Sequence, residues 1–504
     1  KYGNEIWNTQ QAYVNHINEF GQVYGMEFQQ YGAGAQTNYD QDIIWTTPSG
    51  TPIDAHEIKQ LPNGNYMAFT LDAYRSGPIP IGDWTPYFQA LGYVADGITN
   101  EFPWLGLRLV EWDKETKEEV WSWDPFDHFT MDDYDLYGGM WWNAYFNDVF
   151  DWLHSNAFHF DAEEGVIYVS HRHLSRITKI DYQTGDVIWN MGLPAQYNTG
   201  DNNICTDLRF SFQHNIQLLD DGTLLFFDNG NISQLVNDDD YPTTRIRRIR
   251  VIDNSYCETV WQYDLPELMF GVGMGSVQLL DNGNYSIYTF SNGGEPSDGQ
   301  CDLLEVTPDK EIIWKVSAGD NERAWYRSYK IPSIYPNAFS VIADGYQNME
   351  NDNGETLNVI ELVGQTVNFL ITNHSGYDHI YKYKFRSIDS NWFEDVESEI
   401  GIPAYQSAEL SFEAIQTSEA GSNIILSIWP TRHIYSRKDL EFSIISNGIL
   451  GDINGDQNLN VLDVILLVNM ALGNSEIDIN GDINGDENIN ILDVVLLVNL
   501  ILEN

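Results

Sequence analysis

Gln217-Leu-Leu-Asp-Asp-Gly222-Thr223 decides the fold, because its plan recurs as Gln60-Leu-Pro-Asn-Gly64-Asn-Tyr66 and Gln278-Leu-Leu-Asp-Asn-Gly283-Asn284. Asp-Gly or Asn-Gly between apolar runs is a hairpin signal, since a tight two-residue turn needs the positive φ that glycine adopts without penalty. A second half-unit ends in a tryptophan after two apolar or β-branched positions, clearest at Trp45, Trp189 and Trp314 and looser at Trp121 and Trp261. These indoles are expected to pack between neighbouring sheets. Five such halves between residues 40 and 320 imply about five or six blades of a β-propeller, the last closed by residues before 40 or after 320. The stretch Asn8 to Phe20 reads either as a helix or as an extended arm.

From about Glu350 to Asn447 the Gly-turn and Trp unit disappears, and strand-like runs such as Thr366 to Thr372 and Ile424 to Trp429 take over. A roughly hundred-residue antiparallel sandwich is the simplest reading. At the C-terminus one oxygen-rich pattern occurs twice: Asp452, Asn454, Asp456, Asn458, Asn460, Asp463, and then Asp482, Asn484, Asp486, Asn488, Asn490, Asp493. Side-chain oxygens at loop positions 1, 3, 5, 9 and 12, with a backbone carbonyl near 7, can wrap a hard cation taking six to eight oxygens, so two structural Ca2+ ions are expected. Each loop runs into a short apolar helix, Val464 to Leu472 and Val494 to Leu502. The missing leading helix and the terminal Asp resemble a dockerin, over residues 449–504. Dockerins bind a β-sandwich partner called a cohesin, so the resemblance implies a cohesin-like or other β-sandwich partner, a neighbouring copy of this chain included. The apolar pairs Val461–Leu462 and Ile491–Leu492 either face that partner or pack the two halves together.

Composition narrows the field. Against 25 basic side chains stand 75 acidic ones, and the net charge of −50 repels nucleic acid and anionic membranes, so neither is expected as a partner. Aromatic content of 13% gives ample apolar surface to bury, which disfavours a disordered acidic chain. No apolar run approaches a membrane span, and Lys1-Tyr2-Gly3 opens no signal peptide, so the chain reads as already processed, while the calcium module argues for an extracellular or cell-surface location. Cys205, Cys257 and Cys301 allow at most one internal disulfide, and Cys205 has no local partner.

Three histidines hold related places in three blades. His56 lies eight residues before Gly64, His214 eight before Gly222 and His154 eleven before Gly165, while the comparable position before Gly283 is Gly275. If each begins the innermost strand of its blade, pseudo-symmetry aims all three at one end of a central channel, where converging imidazoles suit proton transfer or anion binding. A hairpin turning near Glu163 returns Arg172 opposite residue 154 or 155, and a planar guanidinium suits a tetrahedral oxyanion. His171 and His173 flank Arg172 and are expected to orient it or face outward.

Asp151-Trp-Leu-His154-Ser-Asn156, Val169-Ser-His-Arg172, Ile180-Asp181 with Gly185 and Trp189, Phe212-Gln-His214 and Phe227-Asp-Asn-Gly230 resemble the bacterial arylsulfotransferase family, over about residues 40–320. The resemblance implies a six-bladed propeller that moves a sulfuryl group from a phenolic sulfate donor to a phenol acceptor without a cofactor for catalysis. In that pattern His214 is the nucleophile that becomes sulfated, and His56, His154 and Arg172 bind the sulfuryl oxygens or assist the leaving phenoxide. The chain therefore reads as all-β: a propeller over 1–345, an Ig-like β-sandwich over 346–448 and a small α-helical calcium-binding dockerin over 449–504. The rival is a structural one, a cell-surface or filament subunit on a propeller scaffold, assembled through calcium-dependent dockerin contacts.

Overall fold

The computed structural model describes residues 9, 12–28, 32–291, 300–318, 325–350, 356–362, 366–388, 392–415, 421–446, 451–454, 458–475, 481–484, 486 and 488–503. The chain is mostly β and divides into two compact units, residues 1–334 and 335–504. Among the described residues, no helix is long and apolar enough to cross a membrane.

The first unit is a propeller-like series of five sheets, each built on antiparallel strands in chain order. Sheet I holds Ala12–Ile17, Val23–Glu27, Gly34–Thr37 and Ile43–Thr46. Sheet II holds Ile53–Gln60, Tyr66–Gly77, Phe102–Trp112 and Glu119–Trp123; sheet III begins at Ser155–Asp161, sheet IV at His214–Leu218 and sheet V at Gly271–Leu279. The count among the described residues is five, one fewer than the six that the family resemblance implies. Each sheet is specified by one Gly-turn or Trp unit, and the sequence carries only five tryptophan halves. Residues 12–17, open between helix and arm in the sequence, form the first strand of sheet I.

The repeated tryptophans link sheet to sheet. Trp45 Nε1 donates to Lys114 O in sheet II at 3.0 Å, Trp121 to Tyr182 O in sheet III at 2.9 Å, Trp189 to Asn254 Oδ1 in sheet IV at 3.0 Å and Trp261 to Pro308 O in sheet V at 2.8 Å. Each acceptor lies in the turn before the last main strand of the next sheet. Trp45 on Tyr66 and Trp261 on Tyr285 add stacked contacts with ring centroids 3.8 Å apart. Trp314, in the last sheet, is 41% exposed.

A segment after the last sheet ties the first strands together. Ser328 N donates to Ser276 Oγ at 3.0 Å and Lys330 N to Gln278 Oε1 at 2.9 Å on sheet V, while Tyr329 Oη meets His16 Nδ1 of sheet I at 3.0 Å. Arg327 pairs with Glu57 of sheet II at 2.9 Å and donates to Asn156 O of sheet III at 2.8 Å. Burial would raise Glu57, but the guanidinium of Arg327 and the Lys59 ammonium hold it down at about 2, so the pair is ionic at neutral pH.

Cys205 and Cys257 form a disulfide between sheets III and IV, so the partner that Cys205 lacks locally comes from 52 residues away. Cys301 is buried with its Sγ 3.5 Å from Tyr288 Oη.

In the second unit, a three-stranded sheet (Phe339–Ala343, Thr366–Asn373, Ser407–Glu413) and a six-stranded sheet enclose one core, in which Phe385 stacks on Phe412 at 3.8 Å. Phe339–Ala343 pairs with Thr366–Asn373, so the unit boundary falls before the expected residue 345. The sandwich is not wholly antiparallel: Thr356–Leu362 runs parallel to Lys438–Ser446. At its C-terminal end two helices, Val461–Ala471 and Ile491–Glu503, pack through Leu467, Val494 and Leu497. Val461, Leu462, Ile491 and Leu492 are all exposed, so the apolar pairs do not serve that packing.

Candidate active site

Each site histidine sits in, or immediately before, a first strand near a departure from regular pairing. Register shifts fall between Ile53 and Ile58 in sheet II, Ser155 and Ala157 in sheet III, and His214 and Gln217 in sheet IV. Such bulges re-aim side chains out of the alternating pattern, which lets polar groups gather at one end of otherwise apolar strands. His154 has a left-handed φ of 46°, a conformation costing a non-glycine residue roughly 1–3 kcal/mol unless its surroundings hold it there. Its surroundings do so: Arg172 N donates to His154 O at 3.3 Å and His173 N to Leu153 O at 3.0 Å.

The rings form one cluster. His56 and His154 lie edge to face with centroids 4.6 Å apart, and His173 stacks on His154 at 4.6 Å. The Tyr326 ring packs edge-to-face against both His56, at 5.4 Å between centroids, and His214, at 6.4 Å. Arg172 lies over the Phe212 ring at 4.8 Å and donates to Val272 O at 3.2 Å. His56, His154, Arg172 and His214, the four residues expected to carry the chemistry, are thus brought together, close enough that Arg172, His56 and His154 all shift the ionisation of His214.

Every imidazole is anchored at Nδ1. His56 is held by the Asp54 carboxylate, His154 by the Asp151 carboxylate, and His173 by Asp151 O at 2.6 Å. His214 Nδ1 meets Asn229 Oδ1 at 2.7 Å. Asn229 Nδ2 donates to Gly271 O at 2.8 Å and Met274 O at 3.1 Å, which fixes the amide so that its oxygen faces His214. An amide oxygen only accepts, so His214 Nδ1 carries the proton and Nε2 keeps a lone pair.

Burial pushes His214 well below the ordinary histidine value, and the Arg172 charge lowers it further. Burial also lowers His154, against the pull of Asp151. Asp151 would be raised by burial, yet the imidazoles of His154, His173 and His56 hold its carboxyl below the usual range. Burial brings Arg172 down to about 10, which leaves it cationic at neutral pH.

The sequence assigns no role to Asn229 or Tyr326, and leaves His173 either orienting Arg172 or facing outward. His173 is buried on the site rather than facing outward, because the turn after Val166–His171 folds its ring onto His154. Asn229 belongs to a family-like motif, but nothing local in that motif says which group it holds. Tyr326 arrives from beyond the repeated region, through contacts with residues more than a hundred positions away, and no spacing rule reaches it. His171 hydrogen-bonds Ser155 Oγ at 2.8 Å.

At the C-terminus the oxygen-rich loops repeat one geometry. Asp463 Oδ1 accepts from Ile453 N and Asn454 N at 3.0 and 3.2 Å, and its Oδ2 from Asn460 N at 2.8 Å. Asp493 makes the same bonds to Ile483 N, Asn484 N and Asn490 N. Asp456 lies outside the described residues. A donor set made of oxygens, with Asp463 and Asp493 buried at its base, fits a hard cation.

Residues 105–327 match the arylsulfotransferase (ASST) family model. The match takes in His154, Arg172, His214, Asn229 and Tyr326, and begins after His56. No curated protein matches the chain. Among solved structures, hydrazine synthase of Kuenenia stuttgartiensis aligns at 10% identity over 74% of this chain and 79% of its own, with a TM-score of 0.30. The periplasmic gluconolactonase PpgL of Pseudomonas aeruginosa aligns at 11% identity over 60% and 69%, TM-score 0.30. A 6-phosphogluconolactonase-like protein of Bacteroides fragilis aligns at 10% identity over 61% and 84%, TM-score 0.30. Alignments this loose carry neither fold nor activity across to this chain.

Proposed function

We propose that this chain is a secreted or cell-surface aryl-sulfate sulfotransferase that works by a ping-pong mechanism through a sulfohistidine on His214. The ASST match supports the reaction class. The observation that carries the reading is the Asn229–His214 pair, which leaves a neutral imidazole with its Nε2 lone pair available beside Arg172.

Nε2 attacks the sulfur of the aryl sulfate, an N–S bond forms, and the S–O bond to the ring breaks with its electrons leaving on phenoxide. Arg172 binds the sulfuryl oxygens; a well-aimed donor of this kind is worth roughly 2.7–4 kcal/mol. The incoming sulfate also brings negative charge to His154, favouring its protonated form beside Asp151. Such an imidazolium donates to a sulfuryl oxygen and then gives its proton to the departing phenoxide. In the second half-reaction the same imidazole takes the proton of the acceptor phenol, whose oxygen attacks sulfur and restores His214. Tyr326 adds an aromatic ring in edge-to-face contact with both His56 and His214.

Mass spectrometry after incubation with a chromogenic aryl sulfate tests this. A single SO3 adduct on His214, with one equivalent of phenol released before any acceptor is added, is the expected result. Phenol release without an adduct would point to hydrolysis, and neither would remove the reading.

The C-terminal region is proposed to bind two Ca2+ ions, through Asp452, Asn454, Asp456, Asn458, Asn460 and Asp463 and their counterparts Asp482, Asn484, Asp486, Asn488, Asn490 and Asp493. Calcium would supply charge neutralisation for clustered carboxylates. The exposed Val461, Leu462, Ile491 and Leu492 support its docking to a cohesin-like β-sandwich. Under the structural reading the same face takes a neighbouring copy, and electron microscopy before and after EDTA separates the two: polymers that dissolve on chelation favour a filament.

A further inference from the structure

We propose that Asp135 is a positioning residue for Arg172: it clamps the segment 135–140 against the Phe212 ring, and that ring holds the guanidinium where the sulfuryl oxygens bind. Among the described residues, no carboxylate forms an ion pair with Arg172. Val272 O accepts from its Nη2 at 3.2 Å, and the guanidinium lies over Phe212 at 4.8 Å. A cation that has to take up an anionic group is better held by neutral partners, because a paired carboxylate would compete with the substrate. Whatever fixes the Phe212 ring therefore fixes the cation.

Two contacts fix the ring. In its own backbone Phe212 has a left-handed φ of 58°, and its N–H donates to Ser175 Oγ at 3.2 Å. From the connection between sheets II and III comes Gly138, packed so closely that a Cβ on it would lie 2.1 Å from Phe212 Cζ. The close approach alone requires glycine there, since Gly138 lies outside the left-handed region that Gly139 occupies at φ 87°.

Gly138 is held in turn by Asp135. Asp135 Oδ1 accepts from Tyr137 N at 3.3 Å and Gly138 N at 2.8 Å, and Oδ2 accepts from Met140 N at 3.1 Å, where the helix Met140–Asn147 begins. Three amides on one carboxylate draw the segment into a tight loop that abuts the ring. Asp135 is 4% exposed; burial raises its carboxyl, and the three amides and the Arg172 charge act against that rise. Among the described residues no hydrogen bond joins Asp135 to Arg172, so its influence passes through the loop and the ring.

The effect on turnover rests on the sulfotransferase reading; the placement of the guanidinium does not. Phenylglyoxal, which condenses with accessible guanidinium groups, is applied to the full chain in Ca2+, and Arg172 modification is followed by peptide mass spectrometry. The phenol burst from a chromogenic aryl sulfate is measured on the same proteins. In Asp135→Asn, a nearly isosteric change, one amide loses its acceptor and meets an NH2 group. Arg172 should then be modified severalfold faster than in wild type, with exposed Arg75 of sheet II unchanged. The second-order rate constant of the burst should fall roughly 10- to 100-fold, the scale on which a slightly misplaced binding group slows a reaction.

Should Asp135→Asn fail to fold by circular dichroism, Gly138→Ala, which pushes a methyl into the ring, is read for the same two effects. Combined with Phe212→Leu, which removes Cζ, Gly138→Ala should cost nothing beyond what Phe212→Leu costs alone, whereas a general weakening of the fold would add in full. Unchanged Arg172 labelling in either folded variant, or full additivity of Gly138→Ala with Phe212→Leu, overturns the proposal. Faster labelling in the variants of a protein whose wild type gives no phenol burst sinks the sulfotransferase reading and leaves the positioning role standing.

Discussion

Replacing Asn229 by alanine isolates the group that sets the nucleophile. In the native structure the His214 Nδ1 proton is bonded to Asn229 Oδ1 at 2.7 Å inside a site where His214 is 2% exposed. Without the acceptor, the tautomer with its lone pair on Nε2 keeps a buried, unsatisfied N–H, which costs about 1–3 kcal/mol. At 1.36 kcal/mol per factor of ten, that lowers the reactive population roughly 5- to 150-fold. The loss should appear in the first half-reaction, read by stopped-flow as the phenol burst from a chromogenic aryl sulfate, well below the melting temperature. The temperature margin matters because the same change also strips Gly271 O and Met274 O of their donor. Asn229→Asp supplies the control: it keeps the acceptor, so its burst should exceed that of the alanine variant. A folded Asn229→Ala protein with a burst within about twofold of wild type would refute the argument, since a 1 kcal/mol penalty already exceeds that.

Three further outcomes follow from the geometry. Glu57→Gln breaks a buried ion pair and leaves the Arg327 charge without its partner, so urea denaturation should show a loss of about 3–5 kcal/mol; a change below 1 kcal/mol would mean the pair is solvated. Since the folded-state values of His214, His171 and His173 lie well below 6.5, the unfolded chain binds more protons than the folded one as pH falls under 6.5. Stability should therefore decline from about pH 6.5 downward, while the acid limb of kcat/KM assigned to His214 appears only below that point; urea melts and initial rates across pH 5–8 check both. Cys257→Ser opens a crosslink between positions 52 residues apart, which in the chain-entropy treatment costs about 4 kcal/mol, measurable as a lowered denaturation midpoint against the oxidised parent.

What was legible in the sequence was local. The turns at Gly64, Gly222 and Gly283 announce hairpins because positive φ is a property of a few adjacent residues, and φ at these glycines is 90°, 75° and 82°. The tryptophans, one per sheet, could be read as bridges between sheets for the same reason: pseudo-symmetry repeats their place. The spacing of His56 and His214 from their turns puts both in the first strand of a sheet, and the structure brings them to one cluster with His154 and Arg172. The oxygen-rich loops were legible because all their donors lie within twelve positions.

Tertiary structure alone decided the rest. Whether five or six sheets form depends on how the first and last meet, which no window of sequence contains; residues 326–330 bond to sheets I, II, III and V at once. The pairing of Cys205 with Cys257, the packing of Tyr326 against two histidines, and the turn of His173 onto His154 are likewise long-range. Periodicity records which way a side chain leaves its own strand. It carries no information on which atom of a distant strand will be there to meet it, because that is set by the packing of whole sheets and by which buried polar groups must find partners.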